Sequence, residues 1–152
     1  MKMHTEVTVS FAINLFVIFI LTRNLQGVKA MSKIVRSDVN EEWAHSGVIE
    51  AGNLIFVGYC VGNIGQSIEN QINGAVDHLT ERLESIGLSL ESVVQMDCLF
   101  RDIWNIPVME KVLRERFQGK YPVRKSIQTE FAHRGGSDGG LLFQLDAVAF
   151  RA

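Results

Sequence analysis

The segment Tyr121-Pro122-Val123-Arg124 points most directly to chemistry. Proline cannot continue a helical turn and biases the residue before it toward extended backbone, so Pro122 is expected to end a helix near Phe117. Arg124 then stands at the mouth of a short β-prone run, Ser126 to Phe131. A guanidinium held there offers a planar fork of N–H donors, the geometry that binds a carboxylate in two places. The alternative is a solvated surface arginine in a salt bridge.

The composition indicates one ordinary globular domain. The chain has 152 residues, of which 47% are hydrophobic and 21% charged, enough for one domain with its own core. The net charge of −2, without a long basic run, argues against broad electrostatic binding to DNA or RNA. The two cysteines, Cys60 and Cys98, have no metal-ligand spacing, so no metal site is expected. Cys98 is expected to pack as a small hydrophobe, and Cys60 either to pack or to line a site.

Residues 1–30 differ from the rest of the chain. Phe11 to Leu21 is almost wholly apolar but only about half as long as a membrane-spanning helix. Its length and the small residues of Val28-Lys29-Ala30 suit a secretory signal, which would export the protein. Alternatively, Met31 is the natural start, residues 1–30 are upstream sequence, and the protein is cytoplasmic. A short membrane anchor is the third option. The first two leave a domain of residues 31–152.

Strand and helix signals then follow one another along residues 31–152. Gly52-Asn53 between two apolar runs indicates a tight hairpin within Val48–Val57. Apolar residues at helical spacing predict a helix from Ile68 to Ile86, capped by Ser67 and Gly87, with a solvated polar face that includes Arg82. The later predictions are a strand at Val93–Phe100, a helix at Pro107–Phe117, the strand at Ser126–Phe131, a loop at 133–140 and a strand at Leu141–Phe150.

This order predicts a two-layer α+β domain, with two amphipathic helices on one face of a mixed sheet. The other sheet face would be left open. The run from Leu141 to Phe150 is apolar with little alternation, a pattern typical of a strand buried on both sides. A single small domain has nothing left to cover the second face, so oligomerisation through the sheet is expected.

Over residues 33–152, the sequence resembles the RidA (YjgF) family. The resemblance is carried by five segments in the same order: Gly52–Gly58, Ile86-Gly87-Leu88, Val93–Asp102, Pro122-Val123-Arg124 and Phe143–Ala149. It implies a chorismate-mutase-like fold assembled as a homotrimer, with a sheet-lined central barrel and three clefts between subunits. It also implies hydrolysis of reactive enamines and imines, such as 2-aminoacrylate, to 2-keto acids and ammonia without a metal or organic cofactor. Arg124 matches the arginine that holds the substrate carboxylate.

The chain departs from the pattern of the deaminating members at several positions. Gln144 stands where they carry a glutamate that positions the attacking water; glutamine can hold a water but cannot take its proton at neutral pH. His45 falls roughly where they have a cleft tyrosine, and Gly58-Tyr59-Cys60 replaces Ser-Gly-Gln. Ser126 stands where active members often carry cysteine. The glycine-rich loop 135–140 is longer than usual.

The candidate catalytic residues are therefore Arg124 and Gln144, and the candidate substrate-binding residues are Arg124, His45, Gly58, Tyr59 and Ser126. His45 is equally interpretable as a plain surface histidine. Asp146 shares a strand face with Gln144, and it either replaces the missing carboxylate or makes a structural hydrogen bond.

Two functions of different kinds follow. The first is hydrolytic deamination of 2-imino and enamine acids in an intersubunit cleft, and the second is a non-catalytic trimer that binds a small carboxylate. A weaker third possibility is ribonuclease activity, which the acidic charge balance disfavours. The expected partners are a small-molecule carboxylate and further copies of the chain. Neither nucleic acid nor stable membrane insertion is expected.

Overall fold

One six-stranded mixed sheet and two helices make up the described residues of the computed structural model, which are 33–131 and 140–152. The N-terminal segment 1–30 and most of the predicted loop at 133–140 lie outside these residues. The elements, in chain order, are β1 (Ile34–Asn40), β2 (His45–Ala51), β3 (Leu54–Cys60), α1 (Ile68–Ser85), β4 (Val93–Phe100), α2 (Ile106–Phe117), β5 (Val123–Gln128) and β6 (Phe143–Phe150).

The strands lie in the order β1-β2-β3-β6-β4-β5. All neighbours pair antiparallel except β4 and β5, which are parallel, so the predicted mixed sheet is confirmed. Ala51 lies opposite Leu54, so Gly52-Asn53 is the two-residue hairpin turn that the sequence predicts. Gly52 has a φ of +65°, which favours glycine at this position.

Both helices begin and end for identifiable local reasons. The hydroxyl of Ser67 accepts a hydrogen bond from the Asn70 backbone N–H and caps α1, as predicted. At the other end Gly87 has a φ of +74°, and the N–H of Leu88 donates back to the Leu83 carbonyl, which closes a Schellman motif. The predicted end of α2 at Phe117 is confirmed, but Gln118 in the left-handed conformation ends it, four residues before Pro122.

The core lies between the helices and one face of the sheet. Phe143, Leu145, Ala147 and Ala149 of β6 are buried in it, while the alternate residues Gln144, Asp146 and Val148 are only half-buried. The strand therefore alternates, and the expectation that it is apolar on both faces is wrong in this detail. Within the described residues the second sheet face carries no helix, so it is open as expected, and oligomerisation through it stays a prediction.

Four further sequence expectations need correction. β1 was not predicted at all. The strand expected at Ser126–Phe131 is β5, which begins earlier, at Val123, so Arg124 lies inside the strand. The last strand, β6, begins at Phe143, two residues later than expected. Arg82, assigned to the solvated face of α1, is only 8% exposed. Within the described residues no helix is both long and apolar enough to span a membrane.

Candidate functional site

Arg124 lies on the edge strand β5, opposite Met96 of β4 in the parallel register. Because Met96 belongs to the buried core, this register directs Arg124 to the helix side of the sheet. Its Nη2 donates to Oε1 of Glu110 on α2 at 2.9 Å, and the two side chains are 30% and 40% exposed. The surface salt bridge that was the alternative interpretation of Arg124 is thus present.

The Arg124–Glu110 pair borders an open groove of about 550 Å³. Most of its lining is apolar, and the second arginine in it is Arg114. The remaining lining residues are Met96, Leu113, Phe117, Tyr121 and Pro122. A groove of this size, with apolar walls and a few charged groups, suits a small organic acid.

Ser126 follows two residues after Arg124 and pairs with Cys98, so it lies on the same helix-side face and is half-buried. Gln144 lies on the other face. It pairs with Leu99 of β4, whose neighbours Cys98 and Phe100 point into the core. Since β4 separates β6 from β5, the two strands are roughly 10 Å apart. Within one chain, Arg124 and Ser126 are therefore not brought together with Gln144.

Gln144 is held by Asp146. Its Nε2 donates to Oδ1 of Asp146 at 3.2 Å, and the same Oδ1 accepts from the backbone N–H of Tyr59 at 2.6 Å. Asp146 therefore makes the structural hydrogen bond that was one of its two predicted roles. An ionised carboxylate only accepts hydrogen bonds, so the amide nitrogen of Gln144 must face it, and Oε1 is directed away.

His45 and Tyr59 lie next to each other, while their role in shaping a pocket stays a prediction. Their ring centroids are 5.9 Å apart, and Trp43 joins them at 6.3 Å from His45 and 5.9 Å from Tyr59. Trp43 was not identified from the sequence, because it lies in the turn before β2, outside any periodic pattern. Gly58 adjoins this cluster; a Cβ built on it would lie 3.8 Å from Oδ1 of Asp146.

A partly buried ion pair, formed by the buried Arg82 and the exposed Asp38, supports this part of the site. The pairing of β3 with β6 shifts register between Val57 and Cys60, and Tyr59 within this bulge has a φ of +54°. Arg82 of α1 donates Nη1 to the carbonyl oxygens of Gly58 and Tyr59, and its Nε donates to Oδ2 of Asp38 at 2.8 Å. Arg82 thus fixes the backbone that carries Gly58 and Tyr59.

The thiols and acids of the described residues do not form a reactive or metal-binding centre. Cys60 and Cys98 are both buried. Burial raises the pKa of the Cys60 thiol to about 11 and that of Cys98 to about 12, although Arg82 and Arg124 act in the opposite direction. Among residues 33–131 and 140–152, no three His, Cys, Asp or Glu side chains are grouped to hold a metal ion.

The fold and the site together define a class: a two-layer α+β protein whose candidate site residues are divided between the two faces of one sheet. Comparison with known sequences is consistent with this class. The sequence model of the family described as Endoribonuclease L-PSP matches residues 33–135. No curated protein matches the chain.

The solved structures identify the family more closely. A hypothetical protein from Streptococcus pyogenes, described as a member of the yjgF family, is 62% identical; the match covers 80% of this chain and 98% of that one, with a TM-score of 0.75. A YjgF/YER057c/UK114 family member from Mycobacterium tuberculosis is 25% identical, covers 78% and 98%, and has a TM-score of 0.65. A YjgF protein from Neisseria meningitidis, at 17% identity and a TM-score of 0.70 over 80% and 98%, shares the fold. The chain belongs to the YjgF (RidA, Endoribonuclease L-PSP) family.

Proposed function

We propose that the protein hydrolyses reactive 2-imino and enamine acids to 2-keto acids and ammonia in a cleft between subunits. The observation that carries the proposal is the Arg124 guanidinium at the border of an apolar groove of about 550 Å³. Within the described residues, the hydrogen bond of its side chain is the one from Nη2 to Glu110. Arginine carries five N–H donors, so the remaining donors suffice to bind a substrate carboxylate.

Gln144 supplies the second part of the proposal. Asp146 holds its amide nitrogen, so Oε1 is oriented to accept a hydrogen bond from a water molecule. An enamine acid first tautomerises to its imine by gaining a proton at C3 and losing one from nitrogen. Hydrolysis then adds this water to the C=N carbon, and the resulting carbinolamine releases ammonia and leaves the 2-keto acid. Glutamine does not take the proton of the water, but an imine is already electrophilic. Orientation of water and substrate therefore supplies much of the acceleration.

A second copy of the chain would complete the site. Arg124 and Gln144 lie on opposite faces of one sheet, so one subunit would contribute Arg124 and its neighbour Gln144. The open sheet face favours such an assembly. Leu54, Phe56 and Phe150 lie on adjacent strands there and are 43%, 44% and 46% exposed. Contiguous apolar surface of this kind marks an interaction site, and we propose a homotrimer.

The test is a coupled assay in which 2-aminoacrylate or 2-iminobutanoate is generated enzymatically and its decay is followed with the full chain. Arg124→Ala should lower turnover about 10²-fold, the effect of losing a charge-assisted hydrogen-bond pair. Arg116→Ala is the matched control, because Arg116 forms a similarly exposed ion pair with Asp77 but does not line the groove. Equal turnover of wild type and Arg124→Ala would contradict the proposal.

A trimer that binds a small carboxylate without chemistry is the second candidate. Gln144, which cannot act as a base, is the observation that favours it. Calorimetry with 2-oxobutanoate separates the two functions: tight binding without any imine hydrolysis supports the binding protein. If Gln144→Glu hydrolyses the imine and wild type does not, the cleft is intact and the natural protein has a different function.

The family description also names an endoribonuclease. The net charge of −2 gives the chain no excess of phosphate-binding cations, so we expect no RNA cleavage. If wild type and Arg116→Ala degrade a single-stranded RNA and Arg124→Ala does not, the groove is instead a nucleic-acid site.

A further inference from the structure

Glu110 is the one acidic side chain that lines the groove beside Arg124 within the described residues. It lies on α2, 40% exposed, and holds Nη2 of Arg124 at 2.9 Å. Its helix position, four residues before Arg114, places both charged side chains along the same side of α2. The lining therefore carries two guanidiniums and one carboxylate, rather than cations alone.

A carboxylate in contact with the binding arginine changes which ligands that arginine prefers. A plain carboxylic acid bound to Arg124 would bring a second negative charge next to Glu110, and like charges at short range repel. A ligand that carries a protonated nitrogen beside its carboxylate avoids this conflict. Its carboxylate binds the guanidinium, and its nitrogen donates to Glu110.

We propose that Glu110 is a specificity-determining residue that makes the groove select zwitterionic acids, with a carboxylate and an adjacent protonated nitrogen, over simple 2-keto acids. The inference rests on the proposed function, because it takes Arg124 as the carboxylate anchor. The protonated form of a 2-imino acid has this charge arrangement, whereas the 2-keto acid formed from it has lost the nitrogen. Glu110 would thus favour the substrate and assist release of the product.

The alternative role is a purely structural ion pair that fixes α2 to β5. The two roles differ in one measurable quantity, the ratio of affinities for two acids that share a carbon skeleton. A structural pair contributes equally whichever acid is bound, whereas a selecting carboxylate changes the ratio when its charge is removed.

The experiment is isothermal titration of the full chain with 2-aminobutanoate and with 2-oxobutanoate, for wild type, Glu110→Gln and Glu115→Gln. Glu115 lies on the same helix, is exposed and does not line the groove, so its variant is the matched control. Wild type and Glu115→Gln should bind 2-aminobutanoate more tightly. In Glu110→Gln the affinity for 2-aminobutanoate should fall about fivefold and the affinity for 2-oxobutanoate should rise about fivefold. Each change corresponds to about 1 kcal/mol, the value of a half-exposed charge contact.

An unchanged affinity ratio in Glu110→Gln would overturn the inference while leaving Arg124 as the anchor. Arg124→Ala tests the anchor separately, because it should abolish binding of both acids. If both acids still bind to Arg124→Ala, or if neither binds to wild type, the proposed function fails and the role of Glu110 fails with it. Circular dichroism of each variant confirms that the fold is retained.

Discussion

Replacing Asp38 by asparagine should destabilise the protein, because it leaves the buried Arg82 guanidinium without its charged partner. The Arg82 side chain is 9% exposed and Asp38 is 55% exposed. After the substitution, the guanidinium retains only neutral acceptors, among them the carbonyl oxygens of Gly58 and Tyr59. Breaking a buried ion pair from one side costs about 3–5 kcal/mol. We expect about 3 kcal/mol, the low end, because those carbonyls still accept and Asp38 is already half-hydrated.

The assay is urea unfolding at a fixed protein concentration, with the free energy of unfolding taken from the midpoint and slope. Glu91→Gln is the control, because Glu91 forms an exposed ion pair with Lys120: the side chains are 67% and 61% exposed, respectively. Loss of that exposed pair should cost about 0–1 kcal/mol. Equal losses in the two variants would refute the reasoning, since burial would then not decide the strength of these ion pairs.

Three further predictions concern packing, thiol ionisation and assembly. Gly62→Ala should destabilise the fold by about 1–3 kcal/mol in urea unfolding, because the added Cβ would lie 2.5 Å from the Gly74 backbone. Gly58→Ala is the control: its Cβ would have its nearest atom at 3.8 Å, so this variant should unfold at nearly the wild-type midpoint. Burial raises the pKa of Cys60 to about 11 and that of Cys98 to about 12, so both thiols stay protonated in the folded protein at a pH where they ionise in the unfolded chain. The free energy of unfolding should therefore be unaffected by these thiols below about pH 9 and should fall as the pH rises toward 11 and 12. The double variant Cys60→Ala/Cys98→Ala should lack this decline. Phe56→Asp, on the open sheet face, should reduce the molar mass measured by light scattering, and an unchanged mass would argue against assembly through this face.

Most of the fold could be predicted because its strands and helices have strong local signals. The Gly52-Asn53 hairpin and α1, with its Ser67 and Gly87 caps, are recognisable from short-range chemistry alone. β1 could not be recognised in this way. It is an edge strand, exposed along most of its length, and Asp38 in its middle has a φ of +51°, so it shows no alternation of buried and exposed residues.

The candidate site was less accessible to sequence reasoning. Arg124 could be identified because Pro122 and the following strand mark its position, and Gln144 because of the family resemblance. Glu110 and Arg82 could not, since each acquires its role through a partner that the fold brings near, Arg124 and Asp38 respectively. A charged residue on a helix looks solvated until the packing of that helix is known.

The positive φ of Tyr59 has a consequence for how this protein would respond to selection. The family resemblance implies a glycine of the deaminating members at this position. A φ of +54° costs glycine nothing but costs a residue with a side chain roughly 1–2 kcal/mol. In this chain an aromatic side chain stands on a backbone conformation that favours glycine. Tyr59→Gly would relieve this strain but remove the ring's contacts with His45 and Trp43, so selection for thermostability alone would act on the difference between the two, whereas selection for the proposed ligand recognition should keep the ring. Backbone strain and the proposed ligand recognition are therefore opposed at Tyr59.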